Sequence, residues 1–187
     1  STLLTITIPE TVTSIGTSAF SGATKMTACN FPSSLTTIGS QAFQGCGAFD
    51  PKGQLEHITS YGGLSFNNTA LSGDLVIGES VTRVDNYAFK NTKITSVTVE
   101  HTPATFGNYI FQDCNLLKTA TFEEAVNIPQ YTFAGCSSLT EVVFESSCGT
   151  IGGRAFWNCS SLTTISALTS VTSVGERAFA GTGFTSL

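Results

Sequence analysis

Apolar residues recur along this chain on a fixed beat. Phe20, Phe43, Phe66, Phe89, Phe111, Phe133, Phe156 and Phe179 follow one another at intervals of 22 or 23 residues. The rest of the pattern moves in phase with these anchors. A small residue usually precedes the phenylalanine (Ala19, Ala42, Ser65, Ala88, Ala155, Ala178). An apolar residue stands five positions before it: Ile15, Ile38, Tyr61, Val84, Phe106, Ile128, Ile151 and Val174. Another usually stands eight before it (Val12, Leu35, Ile58, Val81, Cys148, Val171). Further upstream the residues alternate, as in Leu3, Ile6 and Ile8, or Ile94, Val97 and Val99; Leu139, Val142 and Phe144 repeat the phrase, as do Leu162, Ile165 and Ala167.

Alternation over four to six residues is the signature of a short strand with one buried face, and no window holds the ten or more residues at helical spacing that an α-helix needs. Each unit therefore predicts a short strand, a turn, a second short extended piece and a tight corner at the small-Phe pair. One such unit cannot bury its apolar side alone, whereas stacked copies bury a continuous core. The expected fold is mainly β: a right-handed solenoid of about eight coils, with no long helices, roughly 40 Å long at the ~4.8 Å spacing of paired strands.

Residues 3–23, LLTITIPETVTSIGTSAFSGA, match L-x-x-I-x-I-P-x-x-V-x-x-I-G-x-x-A-F almost throughout. This unit resembles that of the BspA-like leucine-rich-repeat family, and the resemblance runs over essentially the whole chain. It implies a leucine-rich-repeat-type solenoid and a surface-exposed or secreted protein of a host-associated microbe. It further implies adhesion, with host matrix proteins or microbial surface proteins as partners.

Some units depart from the pattern. Residues 1–187 read as one array, a fragment of a longer protein, with an irregular unit at 49–66. There FDPKGQ stands where a strand is due, and proline and glycine disfavour a ladder position. Gly62 and Gly63 in that unit are expected to loosen the approach to Phe66. Units five and six are each one residue short, and 183–187 opens a ninth unit.

Composition narrows the function. Thirteen acidic against eight basic residues give a net charge of −5, the wrong sign for tracking phosphates, so nucleic acid is not an expected partner. No apolar run approaches the ~18 residues of a membrane span. Cys46, Cys114, Cys136 and Cys159 each stand three residues after an anchor, where other copies carry Ala23, Thr69, Thr92 and Thr182. Exchange with small residues points to a packing slot, and buried free thiols are expected of these four and of Cys29 and Cys148. No C-x-x-C pair suggests a metal site, and no cofactor is expected. With only His57 and His101 as near-neutral bases, and no nucleophile elbow or phosphate loop, nothing points to an enzyme. Asn67-Asn68-Thr69 and Asn158-Cys159-Ser160 are glycosylation sequons, meaningful in a eukaryotic source.

Three rows remain as candidate surfaces. Glu10, Glu79, Glu100, Glu123, Glu124 and Glu145 follow the first strand and would line one edge, as a solvated turn. Thr5 and Thr7, Ser96 and Thr98, Thr119 and Thr121, and Thr164 and Ser166 would line the outer strand face, as threonine does for its β-propensity alone. The third row lies two residues before the anchor: Tyr87, Tyr109, Tyr131, Arg154 and Arg177, with Trp157 one residue past its own anchor. Tyrosine, tryptophan and arginine dominate binding hot spots, so these six are the candidate ligand-binding residues, while a ladder that merely covers the corner remains open. The expected protein is a monomeric cell-surface module that binds other proteins. A structural spacer and a carbohydrate-binding module are the alternatives.

Overall fold

The computed structural model describes residues 4–166 and 168–184; Leu3, Ala167 and the 185–187 end of the ninth unit lie outside the described residues. The chain is a parallel β-solenoid in which eight anchors delimit seven full turns, with no α-helix among the described residues. Every coil but the third contributes two short strands. The first row comprises β1 (Thr5–Thr7), β3 (Ala28–Asn30), β6 (Ser72–Ile77), β8 (Lys93–Val99), β10 (Thr119–Phe122), β12 (Glu141–Phe144) and β14 (Thr164–Ile165). The second comprises β2 (Ser14–Ile15), β4 (Thr37–Ile38), β5 (Ser60–Tyr61), β7 (Arg83–Val84), β9 (Thr105–Phe106), β11 (Val126–Ile128), β13 (Cys148–Ile151) and β15 (Ser173–Val174). All pairings are parallel, one coil apart, so Thr119 stands opposite Ser96 on one side and Glu141 on the other.

Most strands of both rows turn alternate residues inward: in β10, Ala120 and Phe122 face the core, whereas Val174 in the last coil is exposed. The anchors form a ring stack through that core, with centroids 5.2 to 5.9 Å apart and planes within 18° of parallel. The six inner anchors are fully buried, while Phe20 and Phe179 at the two ends are half-buried. Burial of each ring contributes about 1.5–3 kcal/mol, and each offset stack about 0.5–1.5 kcal/mol more.

The corner carries a third hydrogen-bond ladder. Every residue two before an anchor has a left-handed backbone, from Ser18 (φ 56°) to Arg177 (φ 55°), and so does every residue two after it. These reversals turn alternate amides toward the next coil. Tyr109 N–H donates to Gln130 O (3.0 Å), Phe111 N–H to Thr132 O (2.9 Å) and Asp113 N–H to Ala134 O (2.9 Å). A corner that would otherwise bury unpaired amides is thereby satisfied.

The slot three after the anchor is also a hydrogen-bonding position. Cys46, Cys114, Cys136 and Cys159 each point Sγ at the carbonyl of the preceding coil's anchor, at 3.0 to 3.2 Å. Thr69, Thr92 and Thr182 instead donate to their own anchor's carbonyl at 2.8 to 3.0 Å. All six cysteines are free and buried. Burial pushes the thiols up, Cys114 to about 11 and Cys159 to about 12. Since the thiolate is the reactive form, native protein should resist aromatic disulfide reagents at neutral pH and yield six thiols in denaturant. A folded pKa above the unfolded value makes the folded state hold more protons between the two, so these groups' contribution to stability is full below pH ~9 and falls as pH rises beyond it. An alkaline urea series that shows no loss of stability would contradict this, as would a denatured count of four or fewer.

The ladders break in two places. No strand forms at 49–56, so β1–β3 is separated from the five-stranded sheet β6–β8–β10–β12–β14. Side chains bridge the gap: Asp50 accepts from Ser72 N–H and Oγ (3.2 and 2.5 Å), and Gln54 Oε1 accepts from Phe31 N–H (2.8 Å). The second row passes through this unit intact, as β4–β5–β7. Gly62 does not loosen the approach to Phe66, contrary to the sequence-based expectation. Its N–H donates to Ile38 O at 2.8 Å, and a Cβ there would lie 2.4 Å from Ser40 N. It is a close-packing glycine at the position of Gly39, Gly107, Gly152 and Gly175.

The second break separates β9 from β11. At the other steps, the residue four before the anchor donates its N–H to the preceding coil: Gly107 to Val84 O, Gly152 to Ile128 O, Gly175 to Ile151 O. In coil six that residue is Pro129, which has no N–H to give to Phe106 O.

Candidate functional site

Tyr87, Tyr109, Tyr131, Arg154 and Arg177 stand one above another, each two residues before its anchor. The tyrosine rings stack at 4.4 and 4.5 Å between centroids, with interplanar angles of 14° and 17°. All three are half-buried, so ring faces are covered by neighbours while edges and hydroxyls meet solvent. Arg154 closes the stack: Nη1 donates to Tyr131 Oη at 2.7 Å and the guanidinium carbon lies 5.5 Å from that ring's centroid. At the other end Lys90 Nζ lies 5.7 Å from the Tyr87 centroid and 3.6 Å from Asp113. Burial pushes the Tyr109 hydroxyl's pKa up, and the flanking hydroxyls of Tyr87 and Tyr131 add to it.

The two arginines are not free cations. Arg154 Nη2 and Arg177 Nε both reach Glu176 Oε1, at 3.2 and 3.5 Å. One carboxylate shared between two guanidiniums halves their net charge. Trp157 is exposed, at 39% of its surface, beside the strip at the position one past its anchor, and no ring stacks on it among the described residues. Five coils at ~4.8 Å make a strip near 20 Å long.

The other rows carry less. On the strand face Asp74 accepts from Ser96 Oγ at 2.6 Å and Val76 is exposed, so the hydroxyl row is interrupted. Along the acidic edge Glu124 Oε2 lies 2.7 Å from His101 Nδ1, both side chains about half exposed. No group of three or more His, Cys, Asp or Glu is placed to hold a metal among the described residues, and none of their helices is long and apolar enough to cross a membrane. Of the two sequons, Asn67 is buried while Asn158 is exposed.

Sequence reasoning missed the left-handed backbone beneath the strip. The signal was indirect. Two residues after the anchor stand Gly22, Gly45, Asn68, Asn91, Asp113, Gly135, Asn158 and Gly181, the residue types that tolerate positive φ. Two residues before it the same conformation carries Ser, Gln, Leu, Tyr and Arg, which hide it.

A family model for the BspA type leucine rich repeat region, in six copies, matches residues 1–118 and 56–186. Among solved structures, the chain is similar to a leucine-rich repeat protein from Bacteroides ovatus. That likeness has a TM-score of 0.64 and 25% identity, over 95% of this chain and 58% of the other. It is also similar to a leucine rich repeat protein of T. pallidum, with a TM-score of 0.50 and 17% identity, over 97% of this chain and 77% of the other. The chain thus spans little more than half of the first of these. Among curated proteins none matches it by sequence.

Proposed function

The chain belongs to the BspA type leucine rich repeat family, and on that premise we propose that it is a protein-binding module of a microbial surface. It meets host matrix or microbial proteins through Tyr87, Tyr109, Tyr131, Arg154, Arg177 and Trp157. The observation that carries this reading is the choice of residue at the left-handed positions. A side chain there costs about 1–2 kcal/mol relative to an ordinary backbone, and two residues after the anchor the chain avoids much of that cost with Gly, Asn and Asp. Two residues before it, in five successive coils, it keeps Tyr and Arg. Stacking and the Arg154–Tyr131 bond recover part of the cost and also fix the rings, so little side-chain entropy is lost when a partner docks.

The test is binding of the protein to immobilised host matrix proteins and to microbial surface proteins, beside a variant with Tyr109→Ser, Tyr131→Ser and Arg154→Ser. Hot-spot truncations cost about 2 kcal/mol or more each, so the triple variant should lose detectable binding with its circular dichroism spectrum intact. Full binding by the folded variant would place the contact elsewhere, on the strand face or at 49–66. No binding by the parent protein to any surface protein would favour a spacer.

A further inference from the structure

Where β9 and β11 part, the second-strand wall opens into a cleft of about 570 Å³, within the ~300–1,000 Å³ range of small-molecule sites. Its cause is local. Pro129 removes the ladder donor to Phe106 O, and coil six is a residue short just before Val126. The position seven before the anchor is threonine in Thr13, Thr36, Thr59, Thr82 and Thr172, but Ala104, Val126 and Gly149 in the three coils around the cleft. Gly149 leaves room for an amide: a Cβ there would lie 2.7 Å from Asn127 Oδ1.

The lining is uncharged. Phe106 and Pro129 supply apolar surface. Asn108, Asn127, Gln130 and Thr150 supply polar groups that the fold only partly uses. Asn108 Oδ1 accepts from Gln130 N–H at 3.0 Å, and Asn127 Oδ1 accepts from Thr150 Oγ1 at 3.1 Å. The Nδ2 donors of Asn108 and Asn127 and the whole Gln130 carboxamide have no protein partner among the described residues. Phe106 O, without its ladder donor, is a further acceptor.

We infer that this cleft is a binding site for a short neutral oligosaccharide. Carboxamides offer donors and acceptors side by side, the complement of a vicinal hydroxyl pair, and a sugar's C–H face can lie on Phe106 and Pro129. A charged ligand has nothing to pair with. An added β-strand does not fit, because the coils are not spread at this step. Tyr109 and Tyr131 still stack at 4.5 Å, Phe111 and Phe133 at 5.5 Å, and β8–β10–β12 runs through unbroken. The site is separate from the tyrosine strip and does not depend on it.

The test uses the whole chain and an array of neutral oligosaccharides (gluco-, manno-, xylo- and chito-series), with heparin fragments as the charged control. The best neutral ligand is then titrated by NMR. The expected result is saturable binding to one neutral series, with shifts centred on the side-chain amides of Asn108, Asn127 and Gln130. Affinity should fall roughly tenfold or more in Asn127→Ala/Gln130→Ala, both exposed positions where truncation leaves the core untouched. The inference is overturned if no neutral saccharide shifts these amides, if the double variant binds as well as the parent, or if the heparin fragments shift the same amides as strongly.

Discussion

Phe111→Ala and Phe133→Ala should each lower the free energy of unfolding by about 3–5 kcal/mol, the usual cost of truncating a buried phenylalanine. Both rings are fully buried and each is stacked on two others: Phe111 on Phe89 and Phe133, Phe133 on Phe111 and Phe156. A solenoid adds a geometric penalty. Coils touch only their neighbours, so its stability is a sum of coil and interface contributions, and a cavity at an inner anchor weakens two interfaces at once. Phe20→Ala is the built-in comparison, since Phe20 is half-buried and stacks on Phe43 alone among the anchors; it should cost clearly less. Urea unfolding followed by circular dichroism reads the difference as a shift in midpoint. Inner and end variants that unfold at the same concentration would show that the ring stack does not hold the coils together.

The stack was legible because the signal is redundant. Eight phenylalanines at a period of 22 or 23, each with an apolar partner five positions earlier and most with another at eight, specify which faces turn inward, whatever the backbone does between them. The corner was not legible. A tyrosine with positive φ has the same letter as one in a strand, and only the glycine, asparagine and aspartate two residues past the anchor betray the conformation. The cysteine slot was read as packing because alanine and threonine replace cysteine there. The structure shows that in most coils the slot also donates to an anchor carbonyl, which Ala23 at that position cannot do.

Breaks in the array were half visible for a related reason. Pro51 and Gly53 announced the lost strand in unit three, but Asp50 and Gln54 bridging to Ser72 and Phe31 depend on side-chain reach across coils, which a linear pattern does not contain. Pro129 carried a readable signal that went unused. Proline at a position otherwise filled by glycine or aspartate removes one N–H, and the consequence appears a full coil away, at Phe106.

Gly62→Ala tests how tightly the corner is closed, and it should destabilise the protein by about 2–3 kcal/mol, toward the upper end for overpacking. The backbone conformation is not the obstacle, since Gly62 does not have positive φ. Space is. The new Cβ would meet Ser40 N at 2.4 Å, Gly39 C at 2.7 Å and Ser40 Cα at 2.9 Å, all main-chain atoms, and the Gly62 N–H to Ile38 O bond pins the corner against them. Two coils do carry a Cβ here. One is Pro129, where the ladder has parted; the other is Asp85, whose N–H still donates to Tyr61 O at 2.9 Å. Gly16 holds the same corner position, and a Cβ there would meet nothing within 4 Å. Gly16→Ala should therefore be neutral or stabilising by roughly 0.4–1 kcal/mol, through the unfolded chain's lost freedom. Thermal melts of the pair decide the matter: equal effects at the two sites would mean that coil spacing at Gly62 relaxes freely, and that the close contact there does not set the pitch of the solenoid.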